Sequence, residues 1–292
     1  MLTRPARKPD LVLSYGSDAD QVADVHLPPS APASQGGTGG RAPLTIFLHG
    51  GFWRAEYGRE HTAPLAEALA ATGIVVCAPE YRRTGQDGGG WPGTFDDVAT
   101  AVDRLPWLVA EATGGLADTD RVVIAGHSAG GHLALWAAGR RWLPAESPWA
   151  VERHGEALPV RGVVALAAVS DLAACYRWEL GGQAAGALMG GGPDLYYDRY
   201  LEADPIRLVP AGVPVRLLHG MADDRVPCQM SMDYARATAA TGVGAGAATC
   251  VLMPGAGHFE LIDPLSRVWG EVVDAFWRMS GLCRVAGSGR DG

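Results

Sequence analysis

The 292-residue sequence predicts one α/β domain, a mostly parallel central sheet with helices on both faces. Three observations carry this expectation. Short β-branched runs alternate with longer helical stretches along most of the chain. From Leu44 onward most strand segments are continuous apolar runs without polar alternation, the mark of strands covered on both faces. The segments between them are long enough to return by a helix, as parallel neighbours require.

The strands expected in order are Leu11–Tyr15, Val22–Leu27, Leu44–Leu48, Ile74–Ala78, Arg121–Ala125, Gly162–Ala167, Pro214–Leu218 and Thr249–Met253. The first two leave no room for a helix between them and read as an antiparallel edge. A helix over Thr62–Thr72 carries Leu65 and Leu69 four residues apart and stops at Gly73, a suitable C-terminal cap. Asp96–Thr113 sets Val98, Val102, Leu105 and Val109 on one stripe, with a kink expected at Pro106. Ala129–Ala138 is small and apolar, hence a buried helix, and Cys228–Ala240 is the next. Asp263-Pro264 is expected to open a last helix with Leu265, Val268, Val272, Phe276 and Met279 inward. Three segments fit no core element: a Gly/Ser/Pro loop at about 31–42, the stretch Leu172–Asp204, and a frayed tail at 287–292. Leu172–Asp204 is too long for an ordinary connection. It carries Tyr176, Trp178, Tyr196, Tyr197 and Tyr200 around a Gly-rich middle and reads as a small lid inserted over a site.

Composition narrows the function classes. With 48% apolar and 19% charged residues, the chain can bury a sizeable core and is not expected to be disordered. The formal net charge is −8, and Lys8 is the sole lysine. An acidic chain without a basic run is a poor partner for nucleic acid. Nothing approaches the roughly 18 consecutive apolar residues of a membrane span, and the first ten residues have no apolar stretch behind their cations, so they do not read as a secretory signal. Cys77, Cys175, Cys228, Cys250 and Cys283 are scattered and form no C-x-x-C, as in a cytoplasmic protein with reduced thiols. The eight histidines show no paired ligand spacing, so no metal site is expected.

The chemistry lies in four loops that follow apolar strands. Gly126-His127-Ser128-Ala129-Gly130 matches G-x-S-x-G between a strand and a buried helix. Small neighbours there tolerate a strained turn that exposes the serine oxygen, and the new helix aims free N–H groups at it. His49-Gly50-Gly51-Phe52-Trp53 follows the strand Leu44–Leu48. Its glycines let the main chain approach a ligand and turn N–H groups inward, as a developing oxyanion requires. Gly51 or Phe52, together with Ala129, is expected to supply those donors. His49 is expected to brace the loop, and Trp53 to line the pocket. Leu218-His219-Gly220-Met221-Ala222-Asp223-Asp224 brings two competing carboxylates to the same sheet edge, and Gly255-Ala256-Gly257-His258 brings a histidine. The order Ser128…Asp223…His258 suits a nucleophile elbow with its acid and base. His132, one turn past Ser128, is expected to be a satisfied buried residue.

Together these motifs, from Leu44 to Glu260, resemble the α/β-hydrolase superfamily. That resemblance implies the α/β-hydrolase fold and puts the acid three residues after the glycine, at Asp223. The form His49-Gly50-Gly51-Phe52-Trp53 is similar to the H-G-G-x-W loop of kynurenine formamidases and related small-molecule esterases. The resemblance implies hydrolysis of a small-molecule carboxylic ester or amide through a Ser-His-Asp triad, without a cofactor. An aryl formamide of the N-formylkynurenine type is its sharpest form. Trp53, His127, Tyr176, Trp178 and Phe259 are the candidate substrate-binding residues. An acyltransferase or cyclase using the same residues, and a non-catalytic binding module of the same fold, are the competing readings.

Overall fold

The computed structural model describes residues 4–29, 40–151, 160–242, 244 and 247–282. The loop expected at about 31–42 lies outside them except for its last three residues, as do the tail and Cys283. Among the described residues, eight strands form one sheet: β1 (Leu11–Ser14), β2 (Val22–His26), β3 (Ala42–Leu48), β4 (Val75–Pro79), β5 (Ala117–His127), β6 (Val160–Leu166), β7 (Val215–Gly220) and β8 (Ala248–Met253). Their order across the sheet is β1-β2-β4-β3-β5-β6-β7-β8. β1 pairs antiparallel with β2 and β2 with β4, while every other pairing is parallel. The chain steps from β3 outward to β4 and then back across β3 to β5. Such a switch opens a crevice at the C-terminal ends of the strands on either side of it, here β3 and β5.

Period-2 alternation assigns the strand side chains to two layers. Leu48, Ile124, Val163, Ala165 and Leu217 pack with α2 (Gly93–Ala112), α3 (Ala129–Gly139) and α7 (Gln229–Ala240). Phe47, Val123, Ala125, Val164, Leu166 and Leu218 face the opposite way, onto α1 (Ala63–Ala70) and α8 (Trp269–Ser280). α3 is apolar all round, which suits a helix whose Ala129–Ala137 stretch is buried. Among the described residues no helix is long and apolar enough to cross a membrane.

The last helix differs from expectation. α8 begins at Trp269, and Leu265 is 76% exposed rather than inward. Asp263 is engaged in a local turn instead of a helix start: its Oδ1 accepts from the Leu265 N–H (3.0 Å), and Arg4 donates to its carboxylate. Val268, Val272 and Phe276 are buried as expected, and Met279 packs against the same core.

The Leu172–Asp204 stretch forms three short helices between β6 and β7, α4 (Leu172–Arg177), α5 (Ala184–Met189) and α6 (Tyr197–Ala203). Its two ends are fastened together. Asp204 accepts N–H groups from Leu172 (2.8 Å) and Ala173 (3.3 Å), and Ile206 donates to the Ser170 carbonyl (3.1 Å). α3 holds the same corner, because His132 Nε2–H donates to the Ala203 carbonyl and Trp136 Nε1–H to that of Glu202. Burial, reinforced by the charge of Asp171, pushes the Asp204 carboxyl up to about 7 against these N–H donors and Arg207.

The sign of the resulting pH dependence follows from linkage. A carboxyl raised in the folded state favours folding while protonated, so its contribution is full below the ordinary value of 3.8 and is lost as pH rises through about 7. Asp204→Asn is expected to flatten the fall in unfolding free energy between acid and neutral pH. Urea titrations of both proteins at the two pH values check this; parallel slopes would refute it.

Candidate functional site

Ser128 stands between β5 and α3 with φ 58° and ψ −118°, a conformation that costs a non-glycine residue about 1–3 kcal/mol. The surrounding backbone holds it there. Its N–H donates to the Leu166 carbonyl of β6 (2.8 Å), and its carbonyl accepts from His132 (3.1 Å) and Val169 (3.2 Å). Helix α3 can start this close to the sheet only because residue 130 has no side chain. A Cβ at Gly130 would lie 2.1 Å from the Leu48 carbonyl oxygen and 2.3 Å from that of His49.

The same crowding brings the β3 loop to the serine. A Cβ on Gly50 would sit 3.1 Å from the Ser128 Cβ and 2.9 Å from the His127 carbonyl oxygen. The next three residues, Gly51 (φ 113°), Phe52 (52°) and Trp53 (55°), all have positive φ. Glycine is required at 51, where a Cβ would also meet Tyr57 at 2.4 Å. On the other side of the serine, Ala129 opens α3, so its N–H is one of the free donors of a helix start. The amides expected to stabilise an oxyanion therefore flank Ser128 on two sides.

β7 and β8 deliver the other two residues. His258 Nδ1–H donates to Asp223 Oδ2 at 2.7 Å, and the Asp223 side chain is fully buried. Asp223 Oδ1 accepts the N–H groups of Arg225 and Val226 (both 2.8 Å), and His219 Nε2 lies 3.2 Å from Oδ2. Burial alone would raise this carboxyl. The hydrogen bonds from His219 and His258, the charge of His258 and the Val226 N–H outweigh it and hold Asp223 far below the usual carboxylate range. Asp224 is exposed and pairs with Arg225 (3.5 Å), so of the two carboxylates it is Asp223 that His258 contacts. His258 is anchored to the elbow through its neighbour: His127 Nε2–H donates to the His258 carbonyl (3.0 Å), with the two rings 4.5 Å apart.

Two expected pocket residues stand elsewhere. His127 is 1% exposed, and burial followed by the nearby His258 ring pushes it well below the usual histidine range. It is a neutral prop behind His258 rather than a pocket wall: period-2 alternation puts it on the same face of β5 as Ala125, with Nε2 committed to the His258 carbonyl. Trp53 is fully buried in the core, edge-on to His132 at 5.1 Å. His132 is buried as expected and pushed down to about 3, but only Nε2 has a partner. Phe259 is half-buried against His258 and His127. Phe52 is half-buried, with its ring against Gly181 of the insertion. Tyr176 is half-buried beside Gly186 and Gly192, and Trp178 is 44% exposed on the insertion.

Sequence reasoning missed Glu80 and Tyr81, which follow β4 and support the β3 loop. Glu80 is 2.7 Å from His49 Nε2, and the Tyr81 hydroxyl donates to the His49 carbonyl (2.7 Å). The available signal was a lone acidic residue directly after the buried strand Val75–Pro79, at the sheet edge that carries the other loops. It also missed the approach of His219 to Asp223. Among the described residues, no group of three or more His, Cys, Asp or Glu could hold a metal ion.

Comparison with known proteins agrees with this architecture. A family profile, BD-FAE, matches residues 27–237. Esterase LipC of Mycobacterium tuberculosis is 28% identical over 263 residues, which covers 85% of this chain and 59% of that protein. A kynurenine formamidase of Salmo salar is 28% identical over 132 residues, 45% of this chain and 39% of its own. The chain spans about half the length of the curated relatives it matches. Among solved structures, a truncated carbohydrate esterase from gut microbiota superposes with a TM-score of 0.71 at 21% identity, covering 94% of this chain and all of that one. That likeness shows a shared α/β-hydrolase fold.

The crowding at the elbow yields a direct expectation. Gly130→Ala should destabilise the protein by about 3 kcal/mol, the upper range for overpacking, since the clash is with two main-chain carbonyls and no side chain can move aside. Thermal unfolding against Gly270→Ala, where an added Cβ meets nothing within 4 Å, measures the difference.

Proposed function

The chain belongs to the BD-FAE family of α/β-hydrolase esterases, and we propose that it hydrolyses a small-molecule carboxylic ester through an acyl-enzyme on Ser128. The observation that carries this reading is the 2.7 Å bond from His258 Nδ1–H to a buried, ionised Asp223, with His258 tied to the residue before Ser128. The Asp223 bond fixes the tautomer in which Nε2 is the free base.

The mechanism follows from these roles. Nε2 of His258 takes the proton as Ser128 Oγ attacks the ester carbonyl, and Asp223 stabilises the imidazolium that forms. The N–H groups of Ala129 and the Gly51–Phe52 turn stabilise the tetrahedral oxyanion. Collapse breaks the bond to the alcohol, which leaves with the proton from His258. Water, deprotonated by the same imidazole, then attacks the acyl-serine and releases the acid. We read residues 1–292 as one hydrolase domain acting in the cytoplasm, with Phe52, Tyr176, Trp178 and Phe259 bordering the substrate and the 172–204 insertion as its lid.

An aryl formamide is the second reading, favoured by the H-G-G-F-W loop and the formamidase similarity over 45% of the chain. p-Nitrophenyl esters of graded acyl length, assayed beside N-formylkynurenine, separate the two: a higher kcat/KM on the formamide selects the narrower activity, and none on it leaves the ester hydrolase.

Ser128→Ala should lower kcat by about 10⁴- to 10⁶-fold and abolish fluorophosphonate labelling. Asp223→Asn should lower it by about 10⁴-fold, while Asp224→Asn stays near the parent rate. A Ser128→Ala protein that keeps a tenth of the activity would remove Ser128 as nucleophile.

A further inference from the structure

Outside the three proposed catalytic residues lies a second buried histidine–carboxylate pair. His49 is fully buried, and both of its ring nitrogens face acceptors. Nε2 is 2.7 Å from Glu80 Oε1, and Nδ1 is 2.8 Å from the carbonyl oxygen of Gly50. A neutral imidazole carries one N–H and one bare lone pair, so it would set that lone pair against one of the two oxygens. Glu80 is a poor site for the missing proton. Its carboxylate also receives the N–H groups of Tyr81 (3.1 Å) and Arg59 (3.0 Å) and the Arg83 guanidinium (3.1 Å). These two main-chain amides and the guanidinium bind the carboxylate form of Glu80 independently of His49.

We propose that Glu80 is a positioning residue of the oxyanion hole. It keeps His49 as an imidazolium, whose Nδ1–H grips the Gly50 carbonyl and fixes the peptide that carries the Gly51 N–H. The inference rests on the hydrolase reading above and adds to it a residue that touches no reacting atom.

The Gly50–Gly51 bond is not among the cis peptides, so its C=O and N–H point in opposite directions in one plane. Gripping the carbonyl from the His49 side therefore aims the Gly51 N–H away from that ring. The preceding peptide is fixed as well, because the Tyr81 hydroxyl donates to the His49 carbonyl. Residues 80 and 81 thus hold consecutive peptides of a glycine loop that lies against Ser128. A cation on the carbonyl side also polarises the peptide and strengthens its N–H as a donor.

The groups facing His49 agree with a positive ring. Tyr81 stacks on it at 4.4 Å, and His61 meets it edge-on at 5.7 Å. His61 Nδ1 is engaged by the Gly58 carbonyl (2.6 Å), and burial pushes this ring down to about 4, so it adds no second positive charge. Arg83 and Arg59 (3.8 Å from Oε2) reach Glu80, leaving its carboxylate as the negative charge that faces the imidazole.

The test pairs nitrogen-15 NMR of the histidine rings with kinetics on p-nitrophenyl acetate, using the whole chain and Glu80→Gln. In the parent at neutral pH, both nitrogens of His49 should carry protons; in Glu80→Gln the ring should be neutral. The variant should lose about 10²-fold in kcat, the scale of one oxyanion donor, with KM within about twofold because ground-state binding is untouched. A purely structural role would lower the melting temperature without that split. A neutral His49 in the parent overturns the proposal even if the variant fails to fold. An active parent whose Glu80→Gln variant keeps its kcat overturns this inference alone. A parent with the imidazolium that neither hydrolyses esters nor labels at Ser128 overturns it together with the hydrolase reading.

Discussion

Ser128 holds a positive φ between the end of β5 and the start of α3, and the rest of the site is arranged around that one strained residue. Strain of about 1–3 kcal/mol persists only where the surroundings over-determine the conformation. Here β6 and the loop after it grip the serine from one side, through the Leu166 carbonyl and the Val169 N–H. The β3 loop presses from the other, with Gly130 allowing the carbonyls of Leu48 and His49 to pass. The topology makes this possible. β5 is the strand that β3 and β6 flank in the sheet, so both constraints come from hydrogen-bonded neighbours rather than from distant loops.

Three buried carboxylates then show how partners, not burial alone, set charge. Desolvation pushes all three toward the neutral form. Asp223 has two main-chain N–H donors and two histidines, and it ends far below the ordinary range. Glu80 has His49, Arg83 and two N–H donors, and it ends near 2. Asp204 has two N–H donors, a guanidinium only at 4.0 Å and a like charge nearby, and it rises to about 7. The two that stay ionised each face a histidine whose loop is packed on the Ser128 elbow, through Gly50 against Ser128 and through the His258 carbonyl on His127. The third fastens the foot of the insertion, where holding the backbone needs an acceptor but no charge.

Much of this was legible in the sequence. All eight strands are legible with boundaries mostly within three residues, because most of those from Leu44 onward are apolar runs bounded by turn residues. β5 runs four residues earlier than expected, through the polar stretch Asp118–Arg121. The loops bearing Ser128, Asp223 and His258 follow β5, β7 and β8, so their approach to one sheet edge follows from parallel strand direction. What stayed hidden depends on contacts between distant segments. Asp263-Pro264 has the letters of a helix start, but Arg4, 259 residues away, binds the aspartate. Trp53 looks like a pocket wall until α3 packs His132 against it. Glu80 is an ordinary acid after a strand until the fold lays β4 beside β3.

The link between the proposed lid and the amide donors is the remaining structural relation. Arg54, directly after the positive-φ stretch 51–53, donates through Nη2 to the carbonyls of Gly181 and Gly182. Those residues and Gln183 form a run of left-handed backbone that turns successive carbonyls toward the guanidinium. Phe52 lays its ring against Gly181, where a Cβ would approach it to 2.7 Å. The β3 loop is therefore held at both ends, by Glu80 and His49 below and by the insertion above. A displacement of the insertion would act on Arg54 and Phe52 before it reached Ser128. Phe52, proposed to border the substrate, and Gly51, proposed to supply an oxyanion donor, are adjacent in the loop that Arg54 ties to the insertion, so under that proposal a change in the insertion reaches both through the same stretch of backbone.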